Sequence, residues 1–460
     1  MSVNRIHQRI DQDFDEHLAR LQELLRIPSI SRETSGLRAA ARWLGDFISQ
    51  AGGKASHVGR EEAPIVLGRF ECGRPKTLLV YGQYDVHPAR DDDAGWTSPP
   101  FGAEIHPLPG VGPAVIGRGA CNSKGPLLGF LNAVRTMWAL DALPVNLILT
   151  IEGEEEEGTP TLESFYRDNV ASLAADAGFE PFWAQYGTDT DRPMLALGTK
   201  GIVVVELRCR GGDWGGPTSK SLHSSVGGWL ASPAWRLITA LASVIDRDEN
   251  IKIESFDEHA LPPAETEERQ LRELAASFDE ASTLRVMAAR RFKGDLHAAD
   301  LLRRYLFSPS ISIGALSSVD PGEIPPRASA QLAIRIVPEM TTQEVVSKLR
   351  RHLDSQGFSD IELLLQSSYE WSRTELAEPV VQSMLATYRA YGCDPQIWPR
   401  LASATPYYLF SQVLGLPYVA GGLGVAGGSH STDEFAAVDG LRTFEKSIAT
   451  FLSEFGRSNT

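Results

Sequence analysis

Hydrophobic residues recur along this chain with two periods. Phe14, Leu18, Leu21, Leu24 and Leu25 follow the 3.6-residue repeat of an amphipathic helix until Pro28 ends it. Leu37, Trp43, Leu44, Phe47 and Ile48 mark a second helix that closes before Gly52 and Gly53. Residues 77–82 and 143–153 are short, nearly continuous apolar runs, as in strands buried on both faces. Between them, a loop rich in proline and glycine precedes a helical stretch over residues 124–140. Strands alternating with helices predict a doubly wound α/β domain, with its ligand site at the carboxyl ends of the strands.

The pattern changes near Lys200. Residues 201–211 alternate apolar and polar, as in a strand with one exposed face, and further strands are expected at 310–316, 327–337 and 360–366. Helical segments lie between them, including a charged stretch around 264–305. This predicts an inserted α+β domain over residues 203–375. The α/β pattern resumes with a helix at 379–392, so residues 1–202 and 376–460 form one split domain.

Composition narrows the class. Of 460 residues, 42% are hydrophobic and 22% charged, the balance of a globular protein rather than a disordered one. Lys and Arg number 44 against 59 Asp and Glu, a net charge of −15, which argues against unaided binding to nucleic acid or to an anionic membrane. No apolar run approaches the roughly 18 residues that would span a bilayer. The first residues lack the apolar stretch of a secretory signal. Cys72, Cys121, Cys209 and Cys393 are scattered without metal or redox spacing, so a cytoplasmic enzyme is expected.

Four strings carry the candidate chemistry: Gly82-Gln83-Tyr84-Asp85-Val86-His87-Pro88, residues 117–125 around Asn122, the Glu154–Glu157 run, and Gly428-Ser429-His430-Ser431-Thr432-Asp433-Glu434. Taken singly, each has an ordinary reading: a solvated loop, a tight turn, a structural histidine. Gly422-Leu423-Gly424-Val425-Ala426-Gly427 fits the dinucleotide pattern G-x-G-x-x-G, but no βαβ unit surrounds it, and it reads as a mobile loop leading to His430. No G-x-S-x-G elbow or P-loop is present.

Taken in order, the strings resemble the dinuclear metallopeptidase family of carnosinase-type dipeptidases, aminoacylase, acetylornithine deacetylase and succinyl-diaminopimelate desuccinylase. The likeness spans nearly the whole chain and includes Trp96 with Pro100-Phe101, Leu222-His223-Ser224 with Gly227-Gly228, and Arg335-Ile336-Val337-Pro338. It implies a zinc-peptidase-like α/β catalytic domain with a parallel-rich mixed sheet, and an inserted α+β lid that also dimerises. In that family two divalent metals, zinc or manganese, share a bridging carboxylate, and a nearby Glu activates water. Residue by residue, the resemblance makes Glu155 the general base and Glu156, Asp176 and His430 metal ligands. Asp85 would orient the first ligand. His223 would polarise the scissile carbonyl across a homodimer interface, and Arg335 would hold the substrate carboxylate. Ser403 and Gly424 fall in loops assigned to the substrate.

The departures fall at the metals. Gln83 stands where the family has its first His ligand, and Asn122 where it has the bridging Asp. Lys200 replaces an Arg, and the small loop around Ser403 is altered. Two dications about 3.5 Å apart repel by roughly 19 kcal/mol at an effective dielectric of about 20, so a bridging anion is needed. A neutral amide does not supply it. No metal, or a single weakly held one, is therefore expected, and a full two-metal site is not. His87 and Cys121 are read as structural or substrate-facing, recruitment to the site being the alternative. The expected activity is at an amide bond of a small dipeptide-like or N-acyl amino-acid substrate, with metal-poor transfer, cyclisation or amide formation placed ahead of conventional metal-dependent hydrolysis. A non-catalytic small-molecule-binding homologue is the third reading.

Overall fold

Residues 2–90, 93–186, 192–318 and 323–458 are described in a computed structural model of the chain. They form two compact units, one of Met1–Leu197, Thr374–Ile397 and Leu409–Thr460, the other of Gly198–Arg373 and Trp398–Tyr408. Residues 398–408 count with the second unit because Leu401 exchanges backbone hydrogen bonds with Gly198 and Lys200.

The apolar runs of the first unit become the middle of a six-stranded mixed sheet. Its order is Lys54–Val58, Ile65–Phe70, Asn146–Glu152, Thr77–Gln83, Ala177–Pro181 and Tyr418–Gly421. The last four strands are parallel and the first two pair antiparallel. Leu78, Val80, Leu147 and Leu149 are buried on one face and Leu79, Tyr81, Ile148 and Thr150 on the other, which explains why these runs do not alternate. Helices Val3–Leu25, Lys124–Ala139 and Val438–Arg457 supply Phe14, Phe130, Phe444 and Phe451 to the same core. Lys124 is fully buried and closes the first helix, its Nζ donating to Leu24 O at 3.2 Å and Ile27 O at 2.6 Å. The register sets Gln83 against Glu152, so their side chains share the carboxyl edge of the sheet.

A second sheet of this unit carries the loop that presents His430. Val425–Gly427 pairs antiparallel with Phe435–Ala437, which pairs with Gly112–Ile116. The glycine run is thus partly a strand, not a mobile loop. A Cβ on Gly424 would lie 2.6 Å from Trp183 and 2.8 Å from Gly440 O, and Gly422 at φ 146° lies as close to Phe444. Packing explains these glycines, and buried Gly424 offers no surface to a substrate.

The second unit is a four-stranded antiparallel sheet, ordered Ser310–Ser318, Arg327–Ile336, Gly201–Arg210 and Glu362–Tyr369. Val203, Val205, Leu207, Leu332 and Ile334 face helices Pro233–Val244 and Thr342–Ser355. Alternate residues, Arg335 among them, lie on the other face. No helix among the described residues is long and apolar enough to cross a membrane.

Candidate active site

Three strands of the first unit end in polar side chains at one edge of the sheet. Thr77–Gln83 delivers Gln83 and, two residues on, Asp85; Asn146–Glu152 leads into the Glu154–Glu157 run; Ala177–Pro181 ends with Glu180. Asp85 is fully buried and organises the first two. Its Oδ1 accepts from Glu155 N at 3.2 Å, and its Oδ2 from Glu156 N at 3.1 Å and Ser31 Oγ at 2.9 Å. Both backbone N–H groups belong to the 3-10 turn Glu155–Glu157, where no preceding carbonyl is available to accept them. The carboxylate therefore serves the glutamate turn, a partner that the sequence reading did not give it.

The four glutamates divide in two. Arg60 pairs with Glu154 at 2.5 Å and Arg32 with Glu157 at 2.9 Å. Glu155 and Glu156 belong to the inner group. Burial pushes the Glu155 carboxyl well above its ordinary range, and Glu156, Asp85, Glu152 and Glu180 add repulsion. Burial also raises Asp85 to about 7. Glu152 accepts from Tyr81 Oη at 2.8 Å and Thr159 Oγ1 at 3.0 Å. The Tyr81 hydroxyl also lies 3.4 Å from Gln83 Oε1.

Opposite the glutamates stands His430. Its Nε2 is 2.9 Å from Glu156 Oε1 and 3.1 Å from Asn122 Nδ2. Glu156 raises the imidazole pKa. Glu156 Oε1 is buried and makes no hydrogen bond of good geometry, an orphaned acceptor facing an imidazole. Asn122 is held through its backbone: Glu434 Oε1 accepts from Asn122 N at 2.8 Å and Cys121 N at 3.0 Å, while Oε2 takes Arg118 Nη1 at 2.7 Å. Arg118 lies 5.3 Å over the Trp96 ring. Glu434 and Arg118 are positioning residues that their strings contained but that no local pattern marked.

Not every expected residue lies here. Asp176 precedes the Ala177–Pro181 strand, and its Oδ2 accepts from Thr77 N at 2.7 Å. That is the amino edge of a parallel sheet, a full strand length from Gln83, so Asp176 is no ligand of this site. Glu180, buried at the other end of the same strand, is near enough to repel Glu155. A charged residue closing an apolar strand was the available signal. Cys121 is buried and its thiol is pushed well up, chiefly by burial and then by Glu434, which removes it as a nucleophile. His87 is exposed and stacks on His430, with ring centroids 4.8 Å apart and planes at 21°. His223, Arg335 and Ser403 belong to the second unit. His223 is exposed, with Nδ1 accepting from Ser225 N at 3.2 Å.

The resemblance implies two ions at this site. Among the described residues, no three of the Asp, Glu, His and Cys side chains at this site bring ligand atoms within 4.8 Å of one another. Gln83 and Asn122, where the missing charged ligands would stand, are neutral amides. Two dications would lack the bridging anion that their mutual repulsion requires. Glu156 Oε1 and His430 Nε2 lie 2.9 Å apart beside Asn122, where they would hold one cation. Among the described residues, Glu258, His259 and Glu344 of the second unit do bring three such atoms within 4.8 Å of one another. Lys348 Nζ already sits 3.0 Å from Glu258 and 2.5 Å from Glu344 there.

Comparison with known proteins identifies the family. The description "Peptidase family M20/M25/M40" matches residues 79–454. Cys-Gly metallodipeptidase DUG1 of Saccharomyces cerevisiae is 28% identical over 497 residues, covering 99% of this chain and 99% of the relative. Beta-Ala-His dipeptidase of Rattus norvegicus is 27% identical over 383 residues, covering 77% and 74%. The M20 family metallo-carboxypeptidase Sso-CP2 from Sulfolobus solfataricus superposes with a TM-score of 0.87 at 27% identity, over 96% of this chain and 99% of that one. These relatives carry the names of hydrolases, which favours conventional dipeptide hydrolysis over transfer, cyclisation or amide formation. With the fold, the ordered motifs and a match over most of its length, the chain is an enzyme acting on C–N bonds and belongs to peptidase family M20/M25/M40.

Proposed function

We propose that this protein hydrolyses the peptide bond of small dipeptide-like substrates, with Glu155 as general base and one divalent cation, zinc or manganese, held by Glu156, His430 and Asn122. The observation that carries the reading is the hold of Asp85 on two successive N–H groups, which braces the turn bearing Glu155 and Glu156. Glu156 points its buried oxygen at His430. Glu155, raised by burial, takes a proton from the attacking water and returns it to the departing amine. A bound cation supplies charge to polarise the scissile carbonyl and to acidify water. A second cation beside it would meet Gln83 and Asn122 with Glu180, too little negative charge to offset the mutual repulsion.

His223, Arg335 and Ser403 complete the reading as substrate grips. His223 donates toward the scissile carbonyl, Arg335 pairs with the substrate carboxylate, and Ser403 is an exposed hydroxyl. The protein works as a homodimer through the second unit: the Ser310–Ser318 edge strand is exposed along its length, and Trp229 and Trp235 are 82% and 70% exposed. All four cysteines are free, which suits a reducing cytoplasm.

The test measures metal per chain together with hydrolysis of a dipeptide panel, with and without chelator. About one equivalent of metal and chelator-sensitive cleavage are expected. Two equivalents would overturn the single-cation reading. Absence of cleavage across the panel would overturn the hydrolase reading.

A further inference from the structure

The second unit buries positive charge that the reading above uses only in part. Lys200 is 2% exposed and directly precedes the Gly201–Arg210 strand. Its N–H donates to Leu401 O at 2.9 Å, and its Nζ donates to Ser308 O at 2.6 Å. Those contacts bring it beside two arginines. Arg400 precedes Leu401, and its guanidinium lies 4.0 Å over the ring of Phe307, the neighbour of Ser308. Arg335 stands across from Ile202 and from Ser310 in the sheet, on the face opposite Ile334 and Ile336.

Charge does not balance in this cluster. Arg400 pairs with Glu267 at 2.5 Å. Among the described residues, no carboxylate lies within ion-pair distance of Lys200 or Arg335, and Lys200 Nζ has one carbonyl for its three protons. Burial lowers Lys200 to about 7, with Arg400 and Arg335 pushing the same way, and burial also lowers Arg335. Among the described residues, buried Lys124 also lacks an ion pair, but it has two carbonyls and the nearby carboxylates of Glu434 and Asp85 to support its charge. Lys200 has one carbonyl and only cations as charged neighbours, which points to an anion supplied from outside the chain.

We propose that Lys200 and Arg335 form a two-cation subsite for a substrate end carrying two carboxylates, so that the enzyme prefers dipeptides whose C-terminal residue is aspartyl or glutamyl. Arg335 offers a planar fork to the α-carboxylate, and Lys200 a point charge to the side-chain carboxylate. A substrate end with one carboxylate would leave one of the two cations uncompensated. The proposal rests on Arg335 as a substrate grip; Lys200 is the specificity-determining addition.

The experiment compares probes of matched shape on the full-length protein: binding of L-glutamate against L-glutamine by calorimetry, and kcat/KM for Ala-Glu against Ala-Gln. Wild type is expected to favour the glutamyl member of each pair by about tenfold, equivalent to one decade in Kd. Lys200→Met, close in shape, should lose that preference, the glutamyl member falling to the level of the glutaminyl one, and Lys200→Arg should retain part of it. A melting curve for Lys200→Met checks that it folds. Equal affinities in wild type, or a preference that survives in Lys200→Met, overturn the proposal. The binding arm needs no turnover. A protein that binds glutamate through Lys200 but cleaves nothing refutes the hydrolase reading alone, and one that cleaves both dipeptides without preference refutes the subsite alone.

Discussion

Two buried clusters of like charge, one in each unit, respond to the same physics with opposite sign. At the sheet edge of the first unit, Asp85, Glu152, Glu155, Glu156 and Glu180 gather, and burial raises Asp85 to about 7 and Glu155 well beyond its usual range. In the second unit, burial lowers Lys200 to about 7 beside Arg335 and Arg400. Desolvation disfavours the charged form in both, and like neighbours add to it. The bracing differs. Asp85 is fixed by two backbone N–H groups and a hydroxyl, so the carboxylates are held in direction as well as in place. Lys200 has one carbonyl on a flexible stem. On the proposed function, the acidic cluster aims groups at reacting atoms, where misplacement is costly. On the proposed subsite, the basic cluster offers charge, where direction matters less.

If that distinction holds, the acidic cluster should fail abruptly. Glu155→Gln keeps size and hydrogen bonding but removes the base, and kcat should fall by about 10³-fold. Metal content should be unchanged, because Glu156 and His430 remain. A loss of metal in parallel with activity would move Glu155 from base to ligand.

The next effect is a gain. Gln83→His with Asn122→Asp restores an imidazole and a carboxylate where two amides now stand, and metal per chain should rise from about one equivalent to two. The readout is elemental analysis of purified protein. A double variant that folds but gains no metal would mean that these positions do not face the ion pair, and that the placement of Glu180 is mistaken as well.

A smaller contrast tests the ends of one strand. Glu180→Gln should lower kcat/KM by about tenfold, in the range for partners of metal ligands. Asp176→Asn should change it by less than about twofold, because an amide oxygen still accepts from Thr77 N. The reverse ranking would put Asp176 back at the site.

These two residues also show what the chain discloses locally. The buried runs at 77–83 and 146–152, the alternating strand at 201–210 and the helix after Asn122 follow from period alone, and the Glu155–Glu156 pair is recognisable from its neighbours. Asp176 and Glu180 are separated by one short strand, and choosing between them requires knowing which edge faces the site. That depends on a parallel pairing with a strand about 100 residues earlier. The partner of Asp85 and the part played by Glu434 were hidden for the same reason: their hydrogen bonds span 70 and 312 positions. Gly424 misled in the opposite direction, since a glycine forced by Trp183 reads in sequence like a glycine kept for a ligand.

The least effect concerns the basic cluster without any ligand. Unfolded, Lys200 holds its proton up to its ordinary value of 10.5; folded, it releases it near 7. Between those values the unfolded chain binds the extra proton, so wild-type stability gains from Lys200 as pH rises, by at most about 1.4 kcal/mol per pH unit. Among the groups around it, burial holds the Tyr305 hydroxyl above its usual value. Lys200→Met removes the titrating group and with it the slope. Urea midpoints at about pH 6, 8 and 10 should therefore show the variant more stable than wild type at the acid end and the gap closing toward the alkaline end. A gap that is constant with pH would mean that Lys200 keeps its proton throughout, already compensated within the fold, and the two clusters would then not be mirror images.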